Sequence, residues 1–560
     1  MFKGPIKLLI ALWGLSAGVH ANPNAGLHLN RAQNAFPSIY LPSVGYKNNQ
    51  TEHTIPEDAQ APKLKVKGVR FEGNKTLSEA DLQAAFKDVV DSDLSALQIY
   101  SLTNRIKALY NAQDIAASAR VPPQDVDDGI VLFTINESSF NGVEIDYGFE
   151  ESFNVSLEHL ERTAAFGIAN NPPLKISQQE RAHLLAIDLH GVSASGGLYP
   201  DDQGNQTLEL WVENTPRLES DIELNNQGPQ RTGKTELSIN TLYSSPLGRG
   251  GAAYVSAIKS EGVEYISLAY RGPTGAYGGT LDLQAGVLGY QTDSSQNPPY
   301  KGEASSLSLG YRYPLIRSLS ANVFATGLFE QRQLSDTRLI ANQSVKTADY
   351  QVNSFDVRID GNSALATGRL TYSGELVAGN VDLGGSPNRA DDRAGARSAG
   401  DFVLAAGTAQ YAKSVDENWR LVTKAKAQIA NKNLDSSVQL LAGGNAGLRA
   451  YSADELSVDQ GILMSLDLTR RINDALTLGL FYDAANLMAR HNNSDINGNS
   501  LVIKNRFNLS NLGLSAAYRF ENNARLNVTL AHALATTPGS ASQLTQSGNS
   551  RLLARLVVPF

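Results

Sequence analysis

The sequence predicts a transmembrane β-barrel of 16 antiparallel strands, residues 217–560, preceded by two small α+β domains. Recurring segments alternate apolar and polar side chains over about ten residues, and a tilted strand needs ~9–11 residues to cross hydrocarbon. After the amino-terminal segment no apolar run approaches the ~20 residues of a spanning helix. Crossing a membrane would therefore depend on strands.

The alternation gives each predicted strand two different faces. In segment 234–243, Leu237 and Ile239 share one side, whereas Glu236 and Ser238 share the other. Segment 475–483 repeats this pattern. Because neighbouring side chains of a strand point to opposite faces, we expect the apolar face to meet lipid and the polar face to meet a water-filled lumen.

The connections between these segments alternate in length, which favours a membrane barrel over a soluble β-sandwich. Seven short turns and eight mostly longer, polar loops make 16 strands, and an even count returns both chain ends to the periplasmic side. Closure of the first strand on the last leaves no unpaired backbone in lipid. The turns are 244–250, 272–275, 314–318, 361–367, 413–417, 471–475 and 521–523, and the loops are 225–233, 259–262, 291–304, 331–349, 379–400, 432–460, 486–509 and 534–549.

The amino-terminal residues 1–21 have the pattern of a secretory signal peptide. Lys3 and Lys7 precede the apolar stretch 8–19, and small residues surround Ala21. A membrane-anchor helix is the alternative, but the apolar stretch is short and a polar segment follows it. Residues 22–61 are rich in Asn, Pro, Gln and Ser and are predicted to be mostly linker, with a possible short helix over 25–36.

Two modules of one plan precede the barrel, over residues 62–137 and 138–216. In each, alternating segments predict strands at both ends, and two segments between them carry apolar residues at helical spacing. Two α+β domains in tandem are the simplest account.

Charge and composition exclude several functions. The net charge is −8, which argues against nucleic acid as a partner. There is no cysteine, so a disulfide, a cysteine nucleophile and a cysteine metal site are excluded. The eight histidines are scattered and form no HExxH pattern. We therefore expect that the protein is not an enzyme and that it has no catalytic residues, no metal and no cofactor.

Residues 228–235 fit the P-loop pattern GxxxxGK[ST]. A P-loop follows a buried strand and opens a helix whose amides hold phosphates. Here the next residues alternate as a strand, and Pro229 removes one amide. We expect a surface loop without a nucleotide site.

The loop 432–460 contains the most distinctive cluster of residues. Gly443 and Gly444 indicate special backbone angles or close packing. Arg449 is a cation flanked by Leu448 and Tyr451. Taken alone, this is also what a surface loop with a solvated arginine looks like.

Two further residues are notable on the barrel strands. Asp483 follows Phe481 on the strand 475–483 and belongs to its polar, inward face, where it could be one of many pore-lining acids. The last strand ends on Phe560, which shares a face with Leu552 and Leu556. Such an ending resembles the terminal signal that the outer-membrane assembly machinery recognises.

Three motifs together resemble a known family. Leu448-Arg449-Ala450-Tyr451 resembles the VRGY/F loop motif of polypeptide-transporting outer-membrane barrels, and residues 457–461 look like the SGDxG stretch that follows it. Phe481-Tyr482-Asp483 resembles the inward-facing F-x-D motif of their thirteenth strand.

The first module supports this resemblance. Residues 109–110, 121–124 and 127–131 look like the first POTRA module of the ShlB/FhaC/HecB branch, the two-partner secretion (TpsB) transporters. The sequence departs from the family at Ala450, where the motif has glycine, and at residues 113–114, where Gln-Asp replaces Gly-Tyr.

The resemblance implies a function and its residues. Arg449 would pair with Asp483, and the pair would hold loop and barrel in register during transport. In an open lumen the pair could contribute ~0–1 kcal/mol. In a closed lumen, breaking it could cost ~3–5 kcal/mol. Two periplasmic POTRA domains would present a secreted TpsA-type exoprotein to the barrel, which would export it unfolded without nucleotide hydrolysis. The linker lies where family members carry a pore-plugging helix.

The expected setting is the bacterial outer membrane, with lipid, the assembly machinery and the exoprotein as partners, no nucleic acid, and a monomeric barrel. Two alternatives remain. A relative of the barrel-assembly insertases would carry more POTRA modules or lipoprotein partners. A passive porin would not need the tandem modules.

Overall fold

The structure is a computed structural model that describes residues 24–35, 62–126, 128–148, 152–166, 168, 173–200, 205–293, 299–340, 343–445, 447–538 and 545–560. The predicted signal peptide 1–21 and most of the predicted linker 22–61 lie outside these residues. The described part of the linker is helix α1, Ala25–Ala35. Among the described helices, none is long and apolar enough to cross a membrane.

The first α+β module packs two helices on a small mixed sheet. Phe71, Phe86 and Phe133 meet in its core. Ser95 and Gln98 form a capping box that begins the longer helix. The central strand pairs in parallel with one neighbour and antiparallel with the other. The elements are β1 Lys63–Lys65, β2 Gly68–Glu72, α2 Glu79–Ala85, β3 Asp93–Ser95, α3 Ala96–Asn111, β4 Ala117–Arg120 and β5 Ile130–Glu137, with sheet order β2-β5-β4 and a separate pair β1-β3.

The second module repeats the arrangement. Its core places Leu208 and Leu210 of the central strand against Leu160 and Ala182 of the two helices. The elements are β6 Phe140–Asp146, α4 Leu157–Phe166, α5 Ile176–Ile187, β7 Val192–Pro200 and β8 Gln206–Asn214, with sheet order β6-β8-β7.

The junction between the modules is built around Asp114, one of the three residues at which the sequence departs from the family pattern. Asp114 has a left-handed backbone with φ 61°. Its carboxylate accepts hydrogen bonds from the amide and the hydroxyl of Ser177, at 2.8 and 2.5 Å, in the first turn of α5. Ile115 forms a β-bridge to Lys175. An aspartate here ties the end of the first module to a helix of the second.

The barrel closes with 16 antiparallel strands, as predicted, and its last strand, Ser550–Pro559, pairs with its first, Leu218–Asn225. The 12-residue strand Gln460–Arg471 follows a loop that contains its own two-residue strands, β20 Leu440–Leu441 and β21 Ser457–Val458. The barrel strands are β9 Leu218–Asn225, β10 Glu236–Ser244, β11 Ala252–Lys259, β12 Val263–Pro273, β13 Thr280–Gln291, β14 Tyr300–Arg317, β15 Ala321–Ile340, β16 Gln343–Leu365, β17 Gly368–Asp382, β18 Gly400–Ser414, β19 Trp419–Ala430, β22 Gln460–Arg471, β23 Leu476–Met488, β24 Arg506–Arg519, β25 Arg525–Ala533 and β26 Ser550–Pro559, and a short helix α6 Arg389–Ala394 follows β17.

The predicted faces of the strands are confirmed. Leu237 and Ile239 lie on the outside of the barrel, whereas Glu236 and Ser238 are buried inside. Leu480 is likewise exposed to the outside. The apolar exterior and polar interior are those of a barrel that sits in lipid.

One predicted loop was wrong. Residues 331–349 were expected to form a long loop, but β15 and β16 remain paired from Gln331 opposite Asn353 to Ile340 opposite Gln343. Most residues of this hairpin are polar, and its few apolar residues, such as Leu334 and Leu339, do not recur at every second position. The hairpin therefore lacks the alternation by which a lipid-facing strand is recognised in sequence.

The second module is docked on the periplasmic turns of the barrel. The Arg317 guanidinium forms an ion pair with Asp188 at 2.6 Å, and Arg181 donates a hydrogen bond to the carbonyl of Pro314 at 3.0 Å. Phe166 meets Tyr277 edge-on with ring centroids 4.1 Å apart. These contacts join the helix layer of the module to the barrel.

Candidate functional site

The loop between β19 and β22 folds into the barrel lumen. Leu448 and Tyr451 are fully buried and pack in one cluster with Phe481 and Ala485, which lie on the inward face of β23. The tip of the loop is therefore held against the inner wall rather than in solvent.

The turn that carries the arginine requires two of the predicted glycines. Gly444 has φ +83°, a conformation that side chains rarely adopt. A Cβ at Gly443 would collide with the carbonyl oxygen of Ser452. The next limb of the turn returns close enough for a β-bridge between Gly443 and Leu448. Both glycines thus shape the loop directly before Arg449.

Arg449 binds Asp483 through two parallel hydrogen bonds. Its Nη2 lies 2.6 Å from Oδ1 of Asp483, and its Nε lies 2.9 Å from Oδ2. The backbone amide of Arg449 also donates to Oδ2 at 3.3 Å. This bidentate fork sets the orientation as well as the distance of the two groups.

Both terminal nitrogens and the flat face of the guanidinium have further partners. Nη1 donates to Oδ1 of Asp467 at 2.7 Å, and Nη2 donates to the hydroxyl of Ser465 at 2.8 Å. The guanidinium carbon lies 3.5 Å from the ring centre of Phe481, a cation–π contact. Arg449 is therefore held by two carboxylates, one hydroxyl and one aromatic ring.

Asp483 in turn is held by the next strand. Asn511 donates a hydrogen bond to its Oδ2 at 2.8 Å, and accepts one from the amide of Ala450 at 3.4 Å. The barrel register explains the cluster, since Ser465 lies opposite Asp483 and Asp483 lies opposite Asn511. Three adjacent strands thus present polar groups at one level of the lumen.

Burial decides the energetics of this pair. The side chain of Asp483 is 1% exposed and that of Arg449 is 12% exposed. Removal of one partner would leave the other charge buried, which costs about 3–5 kcal/mol in such settings. The contribution of ~0–1 kcal/mol that such a pair makes in an open lumen therefore does not apply here.

Ala450 and Tyr451 complete the motif. Ala450 is buried and has no positive φ, so an alanine fits where the family has glycine. The Tyr451 hydroxyl lies within hydrogen-bond distance of the carbonyls of Ser510 and Ala535, at 3.1 and 2.7 Å. Arg551 on the last strand donates to the carbonyl of Tyr451 at 2.8 Å. The loop therefore contacts strands well beyond β23.

The base of the loop is organised by Asp459, in the segment 457–461. Its fully buried carboxylate accepts hydrogen bonds from Gln439 at 2.7 Å, from the amide of Leu434 at 3.2 Å and from the amide of His491 at 3.0 Å. It joins the two limbs of the loop to the neighbouring extracellular loop.

Helix α1 also lies inside the barrel. Ala25 and Leu29 pack with Tyr290 and Leu334 of the inner wall. Arg31 forms an ion pair with Glu236 at 2.7 Å. The amide of the first helical residue, Ala25, donates to Asp336 at 2.9 Å. The helix occupies the opposite side of the lumen from the Arg449 cluster.

The helix and the loop are in direct contact. The Asn30 side-chain amide donates to the carbonyl of Gln439 at 2.9 Å and of Ser436 at 3.3 Å. The Ser436 hydroxyl donates to Asn24 at 2.8 Å. The first limb of the loop is therefore also a wall of the helix site.

Sequence reasoning missed several residues of this site. Asp467, Ser465 and Asn511 complete the cluster around Arg449 and Asp483. Each lies on the polar face of an alternating segment, so alternation could have placed them in the lumen, but not at the same level. That alignment depends on the register between strands.

Two other predicted features are placed as follows. Phe560 is exposed at the end of the last strand, and its amide donates to the carbonyl of Ser220 on β9 at 2.9 Å. The P-loop-like residues 228–235 connect β9 to β10 and lead into a strand, not a helix.

A closed barrel, α+β modules at its periplasmic mouth and an arginine loop folded into the lumen define an outer-membrane transport protein of the two-partner secretion class. The family model for the haemolysin secretion/activation protein ShlB/FhaC/HecB matches residues 204–504, and the model for the ShlB-type POTRA domain matches residues 64–138. The chain therefore belongs to the ShlB/FhaC/HecB family, whose members are outer-membrane transporters with periplasmic POTRA domains.

Curated relatives and solved structures agree with this assignment. The heme/hemopexin transporter protein HuxB of Haemophilus influenzae (strain ATCC 51907 / DSM 11121 / KW20 / Rd) is 23% identical over 532 residues, 91% of each chain, and that of strain 86-028NP is 22% identical over 475 residues, 82% of each chain. CdiB from Escherichia coli has the same fold, with a TM-score of 0.67, 16% identity and coverage of 91% of this chain and 93% of that one. CdiB from Acinetobacter baumannii has a TM-score of 0.62, 14% identity and coverage of 95% and 96%.

Proposed function

We propose that this transporter captures a secreted TpsA-type exoprotein with its POTRA domains and exports it unfolded through the barrel, without nucleotide hydrolysis. The observation that carries the proposal is the lumen itself, which is filled by a helix and a loop that contact each other and the wall. Such a lumen does not suit a passive porin, whose pore is an open water-filled channel.

Capture would use the sheet edges of the two modules. β2 and β4 are the edge strands of the first sheet, and β6 is an edge strand of the second. We propose residues 138–216 as a second POTRA domain, on the grounds that its two helices and three strands repeat the plan of the first. An unfolded client can add a strand to such an edge through main-chain hydrogen bonds.

Passage would require the lumen to clear while the loop stays in register. We propose that the pair Arg449 and Asp483 holds the loop on the wall in this step, and that α1 is the plug that leaves. The contacts support this division, because Arg449 has four polar and aromatic partners on the wall. Folding of the client outside would make its return unfavourable, so no nucleotide site is needed.

Assembly would follow the usual route for outer-membrane barrels. We propose that the last strand and the exposed Phe560 are recognised by the assembly machinery, and that the apolar exterior is then covered by outer-membrane lipid. Because the barrel closes within one chain, we propose that it works as a monomer.

Co-expression with the exoprotein of an adjacent gene, in cells that lack other such transporters, tests the proposal. We expect the exoprotein to accumulate in the medium with the intact chain and to remain in the periplasm without it. Retention of the exoprotein despite a folded barrel would contradict the proposal. Defective assembly of other barrels after deletion of the gene would instead favour the insertase alternative.

A further inference from the structure

The sheet of the second module has two faces of different chemistry. Leu208, Leu210 and Val212 of β8 are buried in the core with the helices. The alternate residues of the strand, Glu209 and Trp211, point to the other face. This outer face takes no part in the core of the module.

The outer face is acidic. The parallel register of β6 and β8 sets Glu144 beside Glu209 and Asp146 beside Trp211. In the described part of the chain none of these carboxylates takes part in an ion pair. No lysine or arginine stands among the outer-face residues of the three strands, which are Glu144, Asp146, Ser193, Ser195, Gly197, Tyr199, Thr207, Glu209, Trp211 and Glu213.

Two aromatic rings stand among these acids. Tyr199 and Trp211 are 41% and 42% exposed and meet edge-on, with ring centroids 5.9 Å apart. Gly197 lies on the same face, and a Cβ built there meets no atom within 4 Å. The rings therefore border open space in which another side chain can lie. Aromatic faces attract lysine and arginine through the cation–π interaction.

The placement of the module leaves this face accessible. The helix layer carries the contacts to the barrel, through Asp188 with Arg317 and Phe166 with Tyr277. The outer face is on the opposite side of the sheet from the helices.

We propose that this face is a docking surface for extended polypeptide segments in which lysine or arginine residues alternate with aromatic or aliphatic ones. Carboxylates beside exposed rings complement such segments in charge and in shape. The inference rests on the proposed function, because it assigns the client of the transporter to a particular surface. It also specifies which segments of the client bind. A sheet edge alone does not select one segment over another.

Binding of a labelled peptide to the full-length protein in detergent tests the surface. The probe is a peptide of alternating lysine and tyrosine, and its counterpart has glutamate in place of lysine. We expect the lysine peptide to bind and its affinity to fall as NaCl rises from about 50 to about 500 mM, because surface charges are screened. The variant Glu144→Gln/Asp146→Asn/Glu209→Gln/Glu213→Gln should bind it roughly tenfold more weakly and lose the salt dependence.

A matched control removes four negative charges from exposed sites elsewhere on the two modules. Glu79→Gln/Asp91→Asn/Glu158→Gln/Glu161→Gln should bind the lysine peptide within about twofold of the wild type, since its acids are not beside the rings. Trp211→Ala keeps all the acids and should weaken binding about two- to fivefold. The proposed surface would be wrong if the glutamate peptide bound as tightly as the lysine peptide. It would also be wrong if the face variant and the control lost the same affinity for the lysine peptide.

Secretion of the exoprotein by the same variants separates this inference from the proposed function. If the wild type exports the exoprotein and the face variant exports and binds as well as the wild type, the surface is wrong and the function stands. If the wild type binds the lysine peptide but exports nothing, the function is wrong and the surface stands. We expect export by the wild type and a several-fold loss in the face variant only.

Discussion

Two segments fill the lumen of this barrel, and they are held in different ways. The arginine loop is tied to strands at both ends, and its tip joins one guanidinium to Asp467 and Asp483. Helix α1 is not part of a connection between barrel strands and lies before the first module in the chain. Its contacts are the apolar packing of Ala25 and Leu29 on the inner wall, hydrogen bonds such as Asn30 to Gln439, and one ion pair between Arg31 and Glu236.

The difference supports the proposal that the helix, and not the loop, leaves the lumen. Removal of the loop would leave the buried carboxylate of Asp483 without its cation and would break a packed cluster that includes Phe481. Removal of the helix would break one ion pair and would uncover apolar wall residues such as Leu334. We therefore propose that the loop is a fixed part of the wall and that the helix is a detachable plug. The predictions below test that contrast.

The largest effect is expected at the buried pair. Arg449→Ala and Asp483→Ala should each leave a folded barrel but reduce secretion at least roughly tenfold, because the remaining charge is buried at a cost of about 3–5 kcal/mol. Secretion into the medium measures the effect, and heat-modifiable migration of the barrel in gels checks its folding. Arg449→Lys keeps the charge without the bidentate fork and should be intermediate. Normal export by both alanine variants would remove the pair from the mechanism.

Deletion of residues 24–35 should have the opposite consequence. Without α1, the purified barrel should conduct ions several-fold better in a planar bilayer, since the helix fills part of the lumen, while secretion should persist. Arg31→Ala should raise the open fraction less, because only the pair with Glu236 is lost. Conductance that is unchanged after the deletion would show that the helix is not the plug.

The smallest effect is expected at His28. Its ring is buried and lies 4.5 Å from the ring of Tyr290, and neither ring nitrogen has a hydrogen-bond partner among the described residues. His28→Phe keeps the ring contact and removes two unsatisfied polar atoms, which cost about 1–3 kcal/mol when buried. Spontaneous opening in single-channel records should therefore become rarer. An increase in opening would mean that the histidine stabilises the docked helix.

Much of the fold could be predicted from local pattern. The strand faces of Leu237 and Glu236, and the count of 16, followed from alternation and from connection length. The prediction was wrong at residues 331–349, where paired strands continue. Most residues there are polar and the few apolar ones do not alternate, so neither segment alone shows the pattern of a strand.

The candidate site was only partly predictable. Family resemblance named Arg449 and Asp483, and the glycines before the arginine could be recognised from composition. Asp467 and Asn511 were missed, because each lies on a different strand and meets the arginine cluster only through register. Asp114 looked like a mere departure from the family, and the structure shows it tying the two modules together.

What the sequence by itself determined is the transmembrane barrel, because lipid on one side and polar groups on the other impose a period of two on every strand. The tertiary structure decided which of the inward acids meets Arg449, how deeply the pair is buried and where α1 lies. Those contacts join residues far apart in the chain, such as Asn30 with Gln439, and their geometry exists only once the barrel has closed around them.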